Sequence, residues 1–145
     1  MNSDLNKLYP AKIKALNESP FHFEKRENAG RTLKAYNPIC GDRFQLYINP
    51  KEQVIRELHF HGFGCAISKA STSMMVMTLE GKSFREALSL CNGFLRFLDG
   101  EKQDSDTPLP EDFNTFSGLR DYPERHDCVA LSWKEMKAFL ESKQG

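Results

Sequence analysis

At 145 residues the chain is long enough for one domain with a substantial core. Its 20 Lys and Arg balance 20 Asp and Glu, which excludes the overall basic footprint that nucleic acid or an anionic membrane surface requires. No stretch approaches the ~20 apolar residues of a membrane span, and Met1 to Pro20 lacks the apolar centre of a secretory signal. A single cytoplasmic domain over residues 1–145 is expected, in a compartment where Cys40, Cys65, Cys91 and Cys128 are reduced thiols.

The apolar spacing of Leu5, Leu8, Ile13 and Leu16 predicts a helix over Ser3 to Leu16, which Pro10 opens or kinks. Thr32 to Tyr36 reads as a first extended run. Arg43 to Asn49 alternates, with Phe44, Leu46 and Ile48 on one face and Gln45 and Tyr47 on the other. Asn49-Pro50-Lys51-Glu52 reads as a turn, and Val54 to His61 returns as a strand with Val54, Leu58 and Phe60 inward. Gly62-Phe63-Gly64 ends that strand, and Cys65 begins a helix to about Glu80 whose apolar positions are Ile67, Ala70, Met74, Met75 and Met77. Those methionines sit at core spacing, and no base accompanies the neighbouring serines, so a catalytic serine is not expected there.

Ser83 with Glu86 forms a capping box for a helix carrying Phe84, Ala87, Leu88, Cys91, Leu95 and Leu98 on one stripe, closed by Asp99-Gly100. Glu101 to about Asn114 is acidic and proline-containing. It reads as a solvated loop, pinned at most by Phe113, Phe116 and Leu119. A last helix is expected from Cys128 to Ser142, with Val129, Trp133, Met136 and Leu140 inward. The order gives an α+β domain: a small antiparallel sheet of about three strands with helices packed on one face.

Cys91 lies on an apolar stripe and reads as a packing residue. Cys40, Cys65 and Cys128 differ, because each falls at an element boundary. Cys65 and Cys128 are expected at helix N-termini, where backbone N–H groups favour a thiolate. With Asp42 beside Cys40, the three fit a Cys3Asp metal site. Thiolate and carboxylate donors suit tetrahedral Zn²⁺, and iron–sulfur clusters also take thiolates, so the pattern leaves both open. The wide spacing matches no zinc-finger pattern.

Three strings are more specific. "NPICGD" (Asn37 to Asp42), "FHGFGCAISKASTSMM" (Phe60 to Met75) and "YPERHDCVALSW" (Tyr122 to Trp133) resemble the three signature regions of the NifU/IscU family of iron–sulfur assembly proteins. "LNESPFHFEKRENAG" resembles that family's opening segment more loosely. Within the family the chain is similar to the SufU branch, in a polar insertion at about 101–120 and in an arginine, Arg125, three residues before the third cysteine. The scaffold branch carries histidine immediately before that cysteine, where this chain has Asp127 and has His126 one residue earlier.

The resemblance implies a SufE/NifU-like fold, with Zn²⁺ held by Cys40, Asp42, Cys65 and Cys128. It implies sulfur transfer with Cys40 as acceptor, from a pyridoxal-phosphate cysteine desulfurase toward downstream cluster-assembly proteins. The alternative it carries is a scaffold for a [2Fe–2S] cluster on the same ligands. Arg125 would offset the site's negative charge or orient the partner, unless it is a solvated arginine. Asp127 adds negative charge beside the thiolates, which counts against scaffolding. His126, His59 and His61 read as surface residues, His61 being the more plausible substitute ligand of the strand pair.

Overall fold

The computed structural model describes residues 11–101 and 109–143. Along the chain come α1 (Ala11–Glu18), β1 (Arg31–Asn37), β2 (Asp42–Lys51), β3 (Val54–Phe63), α2 (Ala66–Leu79), α3 (Phe84–Leu98), a 3₁₀ helix (Glu111–Leu119) and α4 (Pro123–Ser142). The strands pair antiparallel in the order β1-β2-β3. Helices cover the inner face, α4 against β1 and α2 against β3. This is the α+β architecture that the patterning predicts.

Strand alternation sets that face. Ala35, Phe44, Leu46, Ile48, Leu58 and Phe60 all point inward and are buried, in rows fixed by Ala35 opposite Phe44 and Leu46 opposite Phe60. The expected turn at Asn49 to Glu52 is displaced. β2 runs on to Lys51, and the reversal falls at Glu52 and Gln53, whose φ angles of 54° and 63° suit a two-residue hairpin of matching twist. Pro50 fits within the central strand because the register shifts between Asn49 and Pro50, a bulge that spares its missing N–H. The shift also buries Ile55, while Val54, expected inward, is half-exposed.

α2 is the central helix. Ile67, Ala70, Met74, Met75, Val76 and Leu79 are buried, and so are Ser68, Ser71, Thr72 and Ser73. Met77, expected in the core, is 46% exposed. The buried hydroxyls are matched, as a low-dielectric interior demands. Ser71 Oγ donates to the Val129 carbonyl at 2.6 Å, Trp133 Nε1 donates to Ser71 Oγ at 3.0 Å, and Thr72 Oγ1 lies 2.7 Å from Ser132 Oγ. These bonds fix α2 against α4.

Trp133 stacks on Phe94 at 4.2 Å, and Phe113 meets both edge-on. Phe113 belongs to the 3₁₀ helix, which corrects the solvated-loop reading of Glu101 to Asn114 at its C-terminal end. Phe113, Phe116 and Leu119 are buried core, so aromatic burial outweighs the polar composition around them. Residues 102–108 of the expected insertion lie outside the described residues, as do residues 1–10 of the first predicted helix. Within the described residues α1 runs past the expected end at Leu16 to Glu18. α4 starts at Pro123 and not at Cys128, since proline at a first helical position has its φ preset and no N–H to waste.

Candidate metal centre

Cys40 owes its place to the turn joining β1 to β2. The Gly41 N–H donates to the Asn37 carbonyl at 2.8 Å, and Asn37 Oδ1 accepts from the Ile39 N–H at 3.1 Å. Gly41 has φ of 78°, a left-handed conformation that glycine adopts without strain. The turn presents Cys40 to solvent, beside Ile39, which is 88% exposed. Asp42 follows as the first residue of β2, opposite Asn37, and is buried.

The end of β3 brings in the second cysteine. Gly62 lies so close to β2 that a Cβ there would stand 2.2 Å from the Arg43 carbonyl oxygen. A Cβ on Gly64 would meet Phe44 Cζ at 2.6 Å and Ser68 Oγ at 2.5 Å. Because both are glycine, the chain passes close enough for the Cys65 N–H to donate to Asp42 Oδ1 at 2.9 Å. Cys65 is the N-cap of α2, its sulfur accepting from the Ser68 N–H at 3.4 Å.

Cys128 comes from the other side of the site. It lies inside α4 rather than at its N-terminus, which corrects the expectation for this residue; no helix-end effect acts on it. The bonds joining α2 to α4 hold it in place, with its sulfur 3.8 Å from that of Cys40. One ligand atom each from Cys40, Asp42 and Cys128 lies within 4.8 Å of the others. Three of the four residues singled out in the sequence thus meet, and the Cys65 sulfur lies beside that group, turned toward Ser68.

The electrostatics of the cluster call for a cation. Burial pushes the Cys128 thiol well above its ordinary range, and Cys65, Cys40 and Asp42 push it further. Crowded anionic donors of this kind cannot all ionise unless positive charge joins them. Asp42 gives a second sign: Oδ1 is engaged by Cys65, but Oδ2 is buried without a hydrogen-bond partner. A buried carboxylate oxygen left alone is costly. Thiolate and carboxylate donors of this kind suit Zn²⁺ or an iron–sulfur cluster.

The remaining sequence candidates separate. Cys91 is fully buried in α3, and burial raises its thiol to about 12, in keeping with a packing residue. His126 is half-buried, not on the surface, with Nε2 2.9 Å from the Arg120 carbonyl and Nδ1 3.9 Å from Asp99. Its bonds lead away from the cysteines. Asp127 is exposed and Arg125 half-buried in the first turns of α4. His61 is half-buried against the Phe23 ring at 4.6 Å. His59, expected on the surface, is buried, because the segment around Phe21 to Phe23 pairs with the free edge of β3 and lays the His22 ring against it. Sequence reasoning missed Ser68 as the partner of Cys65; its place three residues after an N-cap was the available signal.

The fold and the cluster define an α+β domain with Cys40, Asp42 and Cys128 gathered at one end of a three-stranded meander and Cys65 held beside them by its N–H bond to Asp42. The chain belongs to the family described as the NifU-like N-terminal domain, which matches residues 8–129. It is 34% identical over 109 residues to the zinc-dependent sulfurtransferase SufU of Bacillus subtilis, covering 75% of this chain and 74% of that protein. It is 33% identical over 135 residues to the iron–sulfur cluster assembly scaffold protein IscU of Streptococcus pyogenes, covering 93% and 84%. Among solved structures, a putative iron–sulfur cluster assembly scaffold protein for the SUF system from Fervidobacterium islandicum superposes with a TM-score of 0.85 at 30% identity, covering 93% of this chain and 98% of that one. A NifU-like protein from Brucella abortus shares the fold, with a TM-score of 0.81 at 20% identity and coverage of 97% and 99%. Among the described residues no helix is long and apolar enough to cross a membrane.

Proposed function

We propose that this protein serves iron–sulfur cluster assembly as a zinc-dependent sulfur acceptor, taking persulfide sulfur from a pyridoxal-phosphate cysteine desulfurase. The observation that carries the reading is an asymmetry of exposure. Cys40 faces solvent on a turn, whereas Asp42 and Cys128 beside it are buried on rigid elements.

Cys40, Asp42, Cys65 and Cys128 are the residues that would hold Zn²⁺. When bound there, Zn²⁺ supplies the charge that keeps these thiols deprotonated at neutral pH. Asp42, Cys65 and Cys128 anchor the site, and Cys40 is the member free to react. Its thiolate attacks the outer sulfur of the donor's persulfide; the donor's S–S bond breaks, a new S–S bond forms on Cys40, and the donor leaves as its own thiolate. No net oxidation takes place. The exposed turn, with Ile39 at its tip, admits a donor cysteine carried on a protein.

The test is single-turnover sulfur transfer from the organism's desulfurase, followed by mass spectrometry of the intact acceptor. Cys40→Ala should accept no sulfur, and Cys91→Ala should accept it normally. Persulfide retained on the Cys40→Ala protein overturns the reading. The second reading, a [2Fe–2S] scaffold, draws on the likeness to the Streptococcus pyogenes IscU over 93% of this chain. It gains the upper hand if anaerobic reconstitution gives a stable visible-absorbing cluster and the desulfurase is not stimulated.

A further inference from the structure

Among the described residues two buried side-chain polar atoms lack a hydrogen-bond partner: Asp42 Oδ2 and His59 Nδ1. The first belongs to the cysteine cluster. The second lies in a separate group at the free edge of β3, made by His22, His59 and Glu80, where His22 and Glu80 bond the backbone of Leu58 and Phe60. One ring nitrogen of each histidine and one carboxylate oxygen of Glu80 lie within 4.8 Å of one another. We propose that His22, His59 and Glu80 form a second cation site, for one divalent transition-metal ion of the zinc type, distinct from the cysteine cluster.

Each ligand is positioned by backbone. Glu80 directly follows α2, and its Oε2 accepts the Leu58 N–H at 3.0 Å, which fixes the carboxylate against β3. His22 adopts φ of 52°, and its carbonyl accepts the Phe60 N–H at 3.1 Å. A non-glycine residue with positive φ is uncommon and needs surroundings that hold it. This placement leaves His22 Nδ1 3.0 Å from both Glu80 Oε2 and the Leu58 carbonyl oxygen, two acceptors that put the proton of the neutral ring on Nδ1 and its lone pair on Nε2. His59 stands on β3, only 4% exposed, with its ring stacked on that of His22 at 4.4 Å.

The chemistry of His59 suits ligation. Arg26 Nη2 lies 3.0 Å from His59 Nε2, and a guanidinium only donates, so Nε2 holds a lone pair and the proton of the neutral ring is on Nδ1. There it meets no acceptor. Only a neutral imidazole binds metal. Arg26 is half-exposed and already paired with Glu24 at 2.8 Å, so it can leave Nε2. The ring proton then moves to Nε2, and the lone pair of Nδ1 takes the cation in place of the partner it lacks. His22, a third exposed, is the ring that tilts out of the stack to complete the site.

Two imidazoles and one carboxylate are borderline donors, which select zinc, cobalt, nickel or copper over magnesium and calcium. Three protein ligands leave a further position to water, and the exposure of His22 and Glu80 gives solvent a route to it.

The test is titration of the full-length protein with Co²⁺, reading bound metal by elemental analysis and absorption together. Thiolate ligands give an intense sulfur-to-metal charge-transfer band, and imidazole with carboxylate does not. Wild-type protein should bind two equivalents, one with the band and one without. Both His59→Gln and Glu80→Gln should lose the equivalent without the band and keep the other. One equivalent in the wild type overturns the proposal, as do two equivalents in both variants. Imidazole ¹⁵N resonances of the wild type provide a readout independent of variant folding. The second equivalent of Zn²⁺ should shift His22 and His59 and leave His126 in place; unmoved His22 and His59 signals refute the site.

Discussion

Replacing Asp42 with asparagine should have opposite effects on the metal-free and the zinc-loaded protein. Asp42 Oδ1 already holds the Cys65 N–H, while Oδ2 is buried and unpartnered. Leaving a buried polar atom unsatisfied costs about 1–3 kcal/mol, and more when it is charged. Asparagine keeps the shape and the acceptor oxygen, and replaces the unpartnered charged oxygen with a neutral amide nitrogen whose burial costs less. The metal-free variant should therefore be more stable than the parent by about 1–2 kcal/mol, which for a chain of this size raises Tm by about 2–4 °C per kcal/mol. With zinc the order reverses. At a free zinc concentration 1,000 times the parent's Kd, binding stabilises the parent by about 4.1 kcal/mol. Loss of a residue that orients a metal ligand weakens binding by about 10–100-fold, and loss of a ligand belongs at the upper end. A 100-fold loss leaves the variant about 1.4 kcal/mol of zinc stabilisation at the same concentration. Thermal melts in chelator and in buffered zinc measure both quantities, and the two melting curves should cross. A variant less stable than the parent in chelator, or one that gains as much from zinc, would show that Asp42 is a structural acceptor and not a ligand.

Other outcomes follow from particular contacts. Gly64→Ala should destabilise by about 1–3 kcal/mol in urea unfolding, because the new Cβ meets Phe44 and Ser68 closer than 3 Å and the core is already packed. Thr72→Val should cost about 1–3 kcal/mol by stranding Ser132 Oγ, and the double change with Ser132→Ala should cost less than the sum of the two single changes. In the metal-free protein, alkylation followed by peptide mapping should label Cys40 first and Cys91 only on unfolding, since Cys91 is buried with its thiol raised to about 12. His59 should make the metal-free protein acid-sensitive. Its folded pKa is lowered, so between that value and the unfolded value of about 6.5 the unfolded chain binds more protons, and stability falls as pH drops below about 6.5. His59→Gln should flatten that part of a pH-dependent melting series.

The sheet was legible because alternation is a local signal, and Phe44, Leu46 and Ile48 report their face without reference to anything else. The hairpin reversal was not. Pro50 marks a turn in most contexts, and only a bulge in the central strand lets it lie within one, with positive φ falling on Glu52 and Gln53 instead. The N-cap role of Cys65 could be read from the glycines before it. Cys128 could not be placed, since Pro123 and not the thiol starts the helix. Cys40, Cys65 and Cys128 stood out individually in the sequence. Their meeting depends on two glycines that bring β3 onto β2 and on hydroxyl bonds between α2 and α4, none of which periodicity encodes. His59 escaped for a related reason: it alternates outward, and what covers it is a loop from a distant part of the chain.

The bonds between α2 and α4 also bear on timing. Cys40, Asp42 and Cys65 lie on neighbouring elements early in the chain, whereas Cys128 arrives on the last helix. As domains emerge from the ribosome N-terminus first, three of these side chains are made long before the fourth. Ser71 and Thr72 receive α4 only once Ser132 and Trp133 have been synthesised, so the complete donor set exists only after α4 has been made. Tight metal capture would then wait for α4, and a nascent chain that lacks it would be kept from sequestering zinc or accepting sulfur too soon.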